Sequence, residues 1–504
     1  MKKHDVIIIG MGLSALTTAA RLYEGGIRNI GVYGASFGGT PYIAAINFVL
    51  PENPYGDTVE QYCADMLNAG YGIGNKALVQ EMTGRTLEGY HFLQRWGIEF
   101  ARNPDGATKL RHLSGHTYPR SLCSTTALIG DVMLRKLCAQ LEEKGIAIHQ
   151  GYECLQLLTR DNKICGATFK TLDGSIENIY SGAVVAAWGG VGNLFAVSTY
   201  PEDIQGNILA IAKDAGAKLV DIEFLEYEPM VVLDPRGAVG EPCPTAMLGE
   251  GAHLLNAQEE RFLLAVRPQG EGGAPKTLLN KEIWKQVAAG HGSPHGGVWA
   301  DLRHIPREVL KAYPWFFERL MSNGVDPNKQ LIEVGPMAHS FSGGICVDGQ
   351  YQSTVSGLYA VGEASGGTHG ACRCAGNAAS QAVLSGLICA QAILANPRAE
   401  IDCEMPIEYR QNQEVYHCFA PRAKQIAKAA LGVYRDAKTL ENAASALEEM
   451  LADSKINDDT RTAQTLKSIL LMINAAQNRK ESRGTHLRLD YPETSEAFAR
   501  AFIW

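Results

Sequence analysis

Several side chains in the second half of the chain have the chemistry to bind an anion or move a proton. Arg373 lies in His369-Gly370-Ala371-Cys372-Arg373-Cys374-Ala375-Gly376-Asn377-Ala378. A guanidinium can bond both oxygens of a carboxylate through its rigid fork of donors. His339 stands in Ala338-His339-Ser340-Phe341-Ser342-Gly343-Gly344-Ile345, and an imidazole there can donate, accept or exchange a proton. Glu228 and Tyr227, in Glu223-Phe224-Leu225-Glu226-Tyr227-Glu228-Pro229, are further proton-handling candidates, as are Arg120 and His116. Taken singly, such residues are ordinarily structural. An arginine is most often an ion-pair partner and a histidine a hydrogen-bonded core residue, so the neighbouring motifs decide.

A phosphate cradle stands at the other end of the chain. Asp5-Val6-Ile7-Ile8-Ile9 reads as a strand, Gly10-Met11-Gly12 as a turn, and Leu13 to about Gly26 as a helix, followed by a second strand at Ile30-Gly31-Val32-Tyr33. Gly10 and Gly12 let backbone approach a pyrophosphate, the helix start supplies N–H donors, and Ala15 packs helix on strand. In this position the pattern predicts a dinucleotide site. The acidic residue that usually holds a ribose hydroxyl is missing, because Tyr33 is followed by Gly34. Ser36 or backbone must take that task. A second buried strand, Ala183 to Ala187, ends in the turn Gly189-Gly190.

These sites need a sizeable scaffold. At 504 residues the chain is expected to form about two to four domains. Its 46% hydrophobic and 20% charged residues fit a globular protein. A net charge of -8 argues against general nucleic-acid binding. No uninterrupted apolar run approaches ~18 residues, so no membrane span is expected. Met1-Lys2-Lys3-His4-Asp5 runs straight into a strand without a signal-peptide pattern, and the expected location is cytoplasmic. The 12 cysteines show no C-x-x-C pair, so no metal or iron–sulfur ligation is expected within the chain. A helix is predicted from Asp131 to Lys144, and loops over the Gly-, Pro- and Lys-rich residues 266–299. From about Met405, apolar residues fall at helical spacing, as in Ala443-Leu447-Met450-Leu451 and Leu466-Ile469-Leu470-Ile473, which predicts a helical bundle.

Four stretches in order resemble the flavoproteins of the fumarate reductase, succinate dehydrogenase and L-aspartate oxidase family. They are the N-terminal glycine motif; Ala186-Ala187-Trp188-Gly189-Gly190-Val191-Gly192 with Asp221-Ile222-Glu223-Phe224; Gly249-Glu250-Gly251; and the His339 and Arg373 blocks with Gly357-Leu358-Tyr359-Ala360-Val361-Gly362-Glu363-Ala364 between them. The tail Glu481-Ser482-Arg483-Gly484-Thr485-His486-Leu487-Arg488 is similar to the end of the helical domain in the dehydrogenase and aspartate oxidase branches.

The resemblance implies an α/β protein. A Rossmann-like FAD-binding domain would span residues 1–222 and 333–403, an inserted α+β capping domain 223–332, and a C-terminal helical bundle 404–504. It implies FAD held by Gly10, Gly12, Ala15, Ser36, Gly38, Gly39, Thr40, Gly189, Gly190, Glu363, Gly376, Asn377 and Ala378. The linking histidine of succinate dehydrogenases has no counterpart in Ser36-Phe37-Gly38-Gly39-Thr40-Pro41, which predicts noncovalent FAD.

The resemblance also implies that Arg373 and His339 bind substrate over the flavin. Two expected partners are replaced: Glu228 stands for a histidine and Leu248 for an arginine read as the proton donor. A second substrate carboxylate would meet Glu228, so the expected substrate has one carboxylate or carbonyl with an apolar or cationic remainder, and is not succinate or fumarate. The rival readings are an electron-transfer flavoprotein subunit serving an iron–sulfur or other electron-transfer protein, and a non-catalytic flavin-binding assembly protein.

Overall fold

The computed structural model describes residues 2–125, 127–201, 204–396, 401 and 404–504. At its centre is a five-stranded parallel sheet, ordered Leu358–Ala360, Val184–Ala186, Val6–Ile9, Ile30–Gly34, Ile148–Gln150. The strands are short and almost wholly apolar, as expected for a parallel sheet covered on both faces. Helix Leu13–Glu24 packs on helix Asn377–Ala395, where Gly386 brings the second helix against the Ser14 carbonyl. Asn377–Ala395 is long and apolar enough to cross a membrane, but 78% of its apolar window is buried inside the protein. Its hydrophobicity serves the core.

Gly10 shows why the first turn is built of glycine. Its φ is +119°, and a Cβ there would lie 2.1 Å from the Ala187 carbonyl oxygen. The first strand can therefore close on the strand ending at Ala186 only without a side chain at this position.

An antiparallel sheet of different character follows: Leu225–Asp234, Ile332–Phe341, Val298–Asp301 and His253–Leu255, in that spatial order. It has its own core around Met230, Leu254, Ile283 and Phe316. Strands Leu225–Asp234 and Ile332–Phe341 carry the chain away from the parallel-sheet region and back. The segment 266–299, expected as loops, is corrected by the structure: it contains helix Lys276–Ala288 and the start of strand Val298–Asp301. Its polar residues conceal a short buried stripe, Leu279 and Ile283, that docks on the sheet. Asn280 Nδ2 donates to the Tyr227 carbonyl at 2.8 Å, which fixes the helix against the first strand.

Helices Gln413–Ala430, Ala437–Ala452 and Thr460–Asn478 form the predicted C-terminal bundle. The tail motif is tied inward by buried ions. Arg479 Nε meets Glu223 Oε1 at 2.6 Å, and Glu481 accepts from both Arg479 and Arg483. The last residues return to the segment before strand Leu225–Asp234, where Leu219 N–H donates to the Trp504 carbonyl and Asp221 N–H to that of Phe502.

Candidate active site

A cavity of about 880 Å³ runs between the parallel sheet and the antiparallel sheet. One wall is the glycine cradle: Gly10, Gly12, Ser36, Gly38, Gly39, Thr40, Gly189, Glu363, Gly376 and Ala378 all line it. Helices Leu13–Glu24 and Asn377–Ala395 both begin at this wall. Their N-cap residues, Gly12 and Gly376, have no side chain with which to cap the first N–H groups. The first N–H groups find partners elsewhere, Leu13 N–H on Thr40 Oγ1 at 2.9 Å and Asn377 N–H on the Cys374 carbonyl at 3.2 Å, and the positive ends of two helix dipoles still face one cavity, which suits the anionic and polar edges of a dinucleotide. Gly376, with φ +81°, leaves no room for a Cβ beside the Asn47 amide.

Three residues placed in the cradle from sequence do not line the cavity. Ala15 is fully buried behind the turn, in the packing role expected of it. Gly190 backs onto Glu363, where a Cβ would lie 2.7 Å from the carboxyl carbon. Asn377 is turned inward, accepting from Asn47 Nδ2 at 2.6 Å and from the Tyr62 hydroxyl at 2.7 Å. Glu363 itself accepts from the Tyr200 hydroxyl at 2.5 Å and from Phe341 N–H at 2.9 Å. Burial raises its pKa, which Tyr200 and Phe341 only partly offset.

Over the other end of the cavity a charged cluster forms from two strands, a helix and a connecting segment. Strand Leu225–Asp234 supplies Glu226 and Glu228 on one face, as the two-residue repeat of a strand requires. Helix Lys276–Ala288 supplies Lys276 at its first position, and the strand ending at Phe341 supplies His339. The segment before Asn377 supplies Arg373. Lys276 Nζ donates to Glu228 Oε2 at 2.5 Å and lies 3.4 Å from Glu226 Oε1. Arg373 lies 3.5 Å from Glu226 and donates to Ser340 Oγ at 3.2 Å. His339 Nε2 is 3.9 Å from Glu228, and its Nδ1 bonds Thr199 Oγ1 at 2.8 Å.

The environment sets their protonation. Burial works against the charge on Glu226, but Arg373 and Lys276 outweigh it and hold its pKa down to about 2. Burial likewise disfavours the Lys276 and Arg373 cations, and the glutamates outweigh it, so both pKa values are raised. His339 is pushed down to about 4 by burial and by Lys276, and is a neutral imidazole near pH 7.

Lys276 was missed from sequence because it lies in the stretch read as loops. Three residues singled out from sequence take other places. Tyr227 faces away from Glu226 and Glu228 on the same strand, and its hydroxyl donates to the Leu431 carbonyl at 2.8 Å. It is no proton handler for this cavity. Arg120 is fully buried between Asp57, at 2.6 Å, and Asp65, at 2.7 Å. It also donates to His116 Nδ1 at 3.1 Å, which leaves His116 Nε2–H to donate to the Ala375 carbonyl at 2.8 Å. Arg120 therefore props the backbone next to Arg373 and does not line the cavity. Leu248 belongs to the core around Met230 and also does not line it, so that position is no proton-donor site. Away from the cavity, His253, Asp301 and His304 could offer metal ligands within 4.8 Å of one another. Arg303 already holds both oxygens of Asp301, however, and the two imidazoles stack at 4.5 Å.

The parallel-sheet cradle, the two helix N-termini aimed at it and the charged cluster facing them define an FAD-dependent oxidoreductase. The chain belongs to the fumarate reductase, succinate dehydrogenase and L-aspartate oxidase flavoprotein family. The "FAD binding domain" family matches residues 5–379, and the "Fumarate reductase flavoprotein C-term" family matches 422–504. Among curated relatives, an L-aspartate oxidase of Mesorhizobium japonicum is 30% identical, over 96% of this chain and 91% of its own. One chain of the fumarate reductase (CoM/CoB) of Methanothermobacter marburgensis is 28% identical, over 99% of this chain and 96% of its own. Among solved structures, Mycobacterium smegmatis Sdh1 in complex with UQ1 superposes with a TM-score of 0.85 at 26% identity, over 99% of this chain and 91% of that one.

Proposed function

We propose that the protein moves hydride between flavin N5 and a small substrate bearing a single carboxylate or carbonyl, and that succinate and fumarate are poor substrates. The observation that carries this reading is the charge balance over the flavin cradle: two cations, Arg373 and Lys276, each lie against a glutamate. A dicarboxylate brings two negative charges to a site whose fixed charges already cancel, and desolvating them there is unfavourable. One carboxylate, or a polarised carbonyl, asks only for the Arg373 fork. The reading takes residues 1–222 and 333–403 as the FAD domain, 223–332 as the cap and 404–504 as the helical domain, which the separate core of the antiparallel sheet supports.

FAD supplies a hydride acceptor or donor at N5. In this reading the chain provides four things. Arg373 orients the substrate anion or carbonyl. His339, neutral and fixed by Thr199, hydrogen-bonds the substrate without adding charge. Lys276 moves a proton to or from the substrate carbon, and Glu228, buried 2.5 Å away, is the group that exchanges that proton with it. Glu226 stays ionised and holds both cations in place. An iron–sulfur or other electron-transfer protein is the proposed electron partner.

The test is to reduce the flavin by light and follow its reoxidation by a panel of unsaturated mono- and dicarboxylates and ketones, beside succinate–dye and fumarate–viologen assays. Reoxidation by monocarboxylates or ketones that Arg373→Ala abolishes supports the reading. Brisk fumarate reduction overturns it.

A further inference from the structure

We infer that the substrate carries an apolar, aryl- or alkyl-sized extension beyond its carboxylate or carbonyl, and that Tyr313, Trp315, Pro242, Pro244 and Leu113 form the wall that selects it. The inference rests on the functional reading above and adds the nature of the substrate's remainder.

The wall can be traced outward from the charged cluster in two directions. On the cap side, Glu228 lies close enough to Cys243 to bear on its thiol, and Cys243 N–H donates to the Met230 carbonyl at 2.7 Å. Pro242 and Pro244 flank that cysteine and line the cavity. On the flavin side, Ala375 N–H, two residues from Arg373, donates to the Ser114 carbonyl at 3.1 Å. That bond ties the segment carrying Leu113 and Arg111, both of which line the cavity, to the segment carrying the anchoring arginine. Arg111 and Glu250 are close enough to act on the Tyr313 hydroxyl, so Tyr313 closes the gap between the two sides. Trp315 lies beyond it, its ring 5.8 Å from that of Tyr313 in an edge-on arrangement. Both aromatics are only half-buried although they belong to a well-packed cap.

Prolines and aromatic rings offer contact area and few hydrogen bonds, so the wall rewards an apolar group and gives little to a second carboxylate. Two charged side chains share it and must be accounted for. Arg111 is exposed and can keep its charge in water. Glu241 is half-buried, and burial, opposed by Arg319, raises its pKa, which moves it toward its uncharged form. A small acid such as propanoate would leave this wall wet. An aryl group would cover roughly the area of one buried aromatic side chain, enough to tighten binding at least about tenfold.

The experiment titrates the yellow holoprotein with propanoate, 3-phenylpropanoate, 3-aminopropanoate and succinate, and reads binding from perturbation of the visible flavin spectrum. The expected result is 3-phenylpropanoate binding at least about tenfold tighter than propanoate, with Tyr313→Ala and Trp315→Ala each drawing that ratio toward one. Flavin content and circular dichroism check that the variants fold. A ratio near one in the unmodified protein overturns the inference. So does a ratio that both variants keep, or tightest binding by 3-aminopropanoate, which would assign the glutamates to a substrate amine. Failure of the underlying reading looks different: Arg373→Ala would then leave all four affinities unchanged, or succinate would bind best.

Discussion

Lys276 and Arg373 converge on one oxygen: Glu226 Oε1 lies 3.4 Å from the lysine ammonium and 3.5 Å from the guanidinium. The two cations come from different parts of the chain, one opening a cap helix and the other preceding the helix that starts at the cradle. Glu226 is only 5% exposed and keeps them from repelling each other across the site. Its second oxygen is buried without a hydrogen-bond partner among the described residues, so the charge pairing alone holds it in place. The triad thus ties helix Lys276–Ala288 and strand Leu225–Asp234 to the segment that carries Arg373.

Removing the lysine should separate its two roles. Lys276→Met is expected to lower kcat by about 10²-fold or more, as loss of a positioned acid–base group does. Lys276→Arg should keep much of the activity, since a guanidinium can still bridge Glu226 and Glu228. The methionine variant also leaves Glu228 without its 2.5 Å partner. Because the Lys276 side chain is 28% exposed, the stability cost should stay near the low end of the ~3–5 kcal/mol seen for broken buried pairs. Single-turnover flavin reoxidation measures the first effect and urea denaturation the second. Equal kcat in Lys276→Met and the parent would remove Lys276 from the chemistry.

Acid should weaken the fold through its buried, neutral histidines. His116 and His339 are held down to about 4 and His369 to about 3, in each case first by burial. Their unfolded values are about 6.5. Between those limits the unfolded chain binds more protons than the folded one, so stability is complete above about pH 6.5 and falls as pH drops toward the folded pKa values. The slope is at most about 1.4 kcal/mol per pH unit for each histidine, and His339, the least covered of the three, should contribute least. Urea midpoints at pH 7.5, 6.0 and 5.0 should therefore decline, with a shallower decline in His116→Gln. A flat profile from 7.5 to 5.0 would contradict the burial of these rings as neutral species.

The flavin should come away without breaking a bond. Ser36, Gly38, Gly39 and Thr40 line the cradle where succinate dehydrogenases carry their linking histidine, and Thr40 Oγ1 is occupied in accepting from Leu13 N–H at 2.9 Å. Acid precipitation should leave the yellow colour in the supernatant. Colour that stays with the washed pellet would show a covalent link.

The sequence made some of this legible and hid the rest for identifiable reasons. Gly10 and Gly376 are readable because a positive φ and close neighbours exclude a side chain at these turns, and Gly12 because it stands in the same short motif. Arg373 and His339 are readable because they sit in long motifs with glycine turns beside them. Glu228 was found through its departure from a familiar pattern. Tyr227 was misread because strand periodicity, with Glu226 and Glu228 facing one way, sends the residue between them to the C-terminal helices. Arg120 was misread because Asp57 and Asp65, far earlier in the chain, bury its charge. Lys276 gave no signal: its helix has only a narrow apolar stripe, and its partners lie 48 and 50 residues away in sequence.

The position of Leu248 bears on how the site could be converted to a dicarboxylate site. Leu248 is 4% exposed in the core of the cap, so Leu248→Arg would bury an unpaired charge among Met230, Leu254 and Phe316. It should destabilise the cap by several kcal/mol and give no fumarate reduction. The effective change lies at the triad. Glu228→His restores the residue type that the resemblance implies there, and together with Glu226→Gln it removes two negative charges beside Lys276 and Arg373. Two cations would then face the cavity without internal partners, and each could take one end of a dicarboxylate. The double variant should bind succinate at least about tenfold tighter than the parent, since one close opposite charge shifts such equilibria by a pKa unit or more. It should also show fumarate–viologen activity absent from the parent. Adding Lys276→Arg should raise that activity further, because a fork of donors fits a carboxylate better than a single ammonium. Succinate affinity that stays at the parent level in the double variant, with flavin content intact, would mean that the cavity's shape, and not its charge, excludes dicarboxylates.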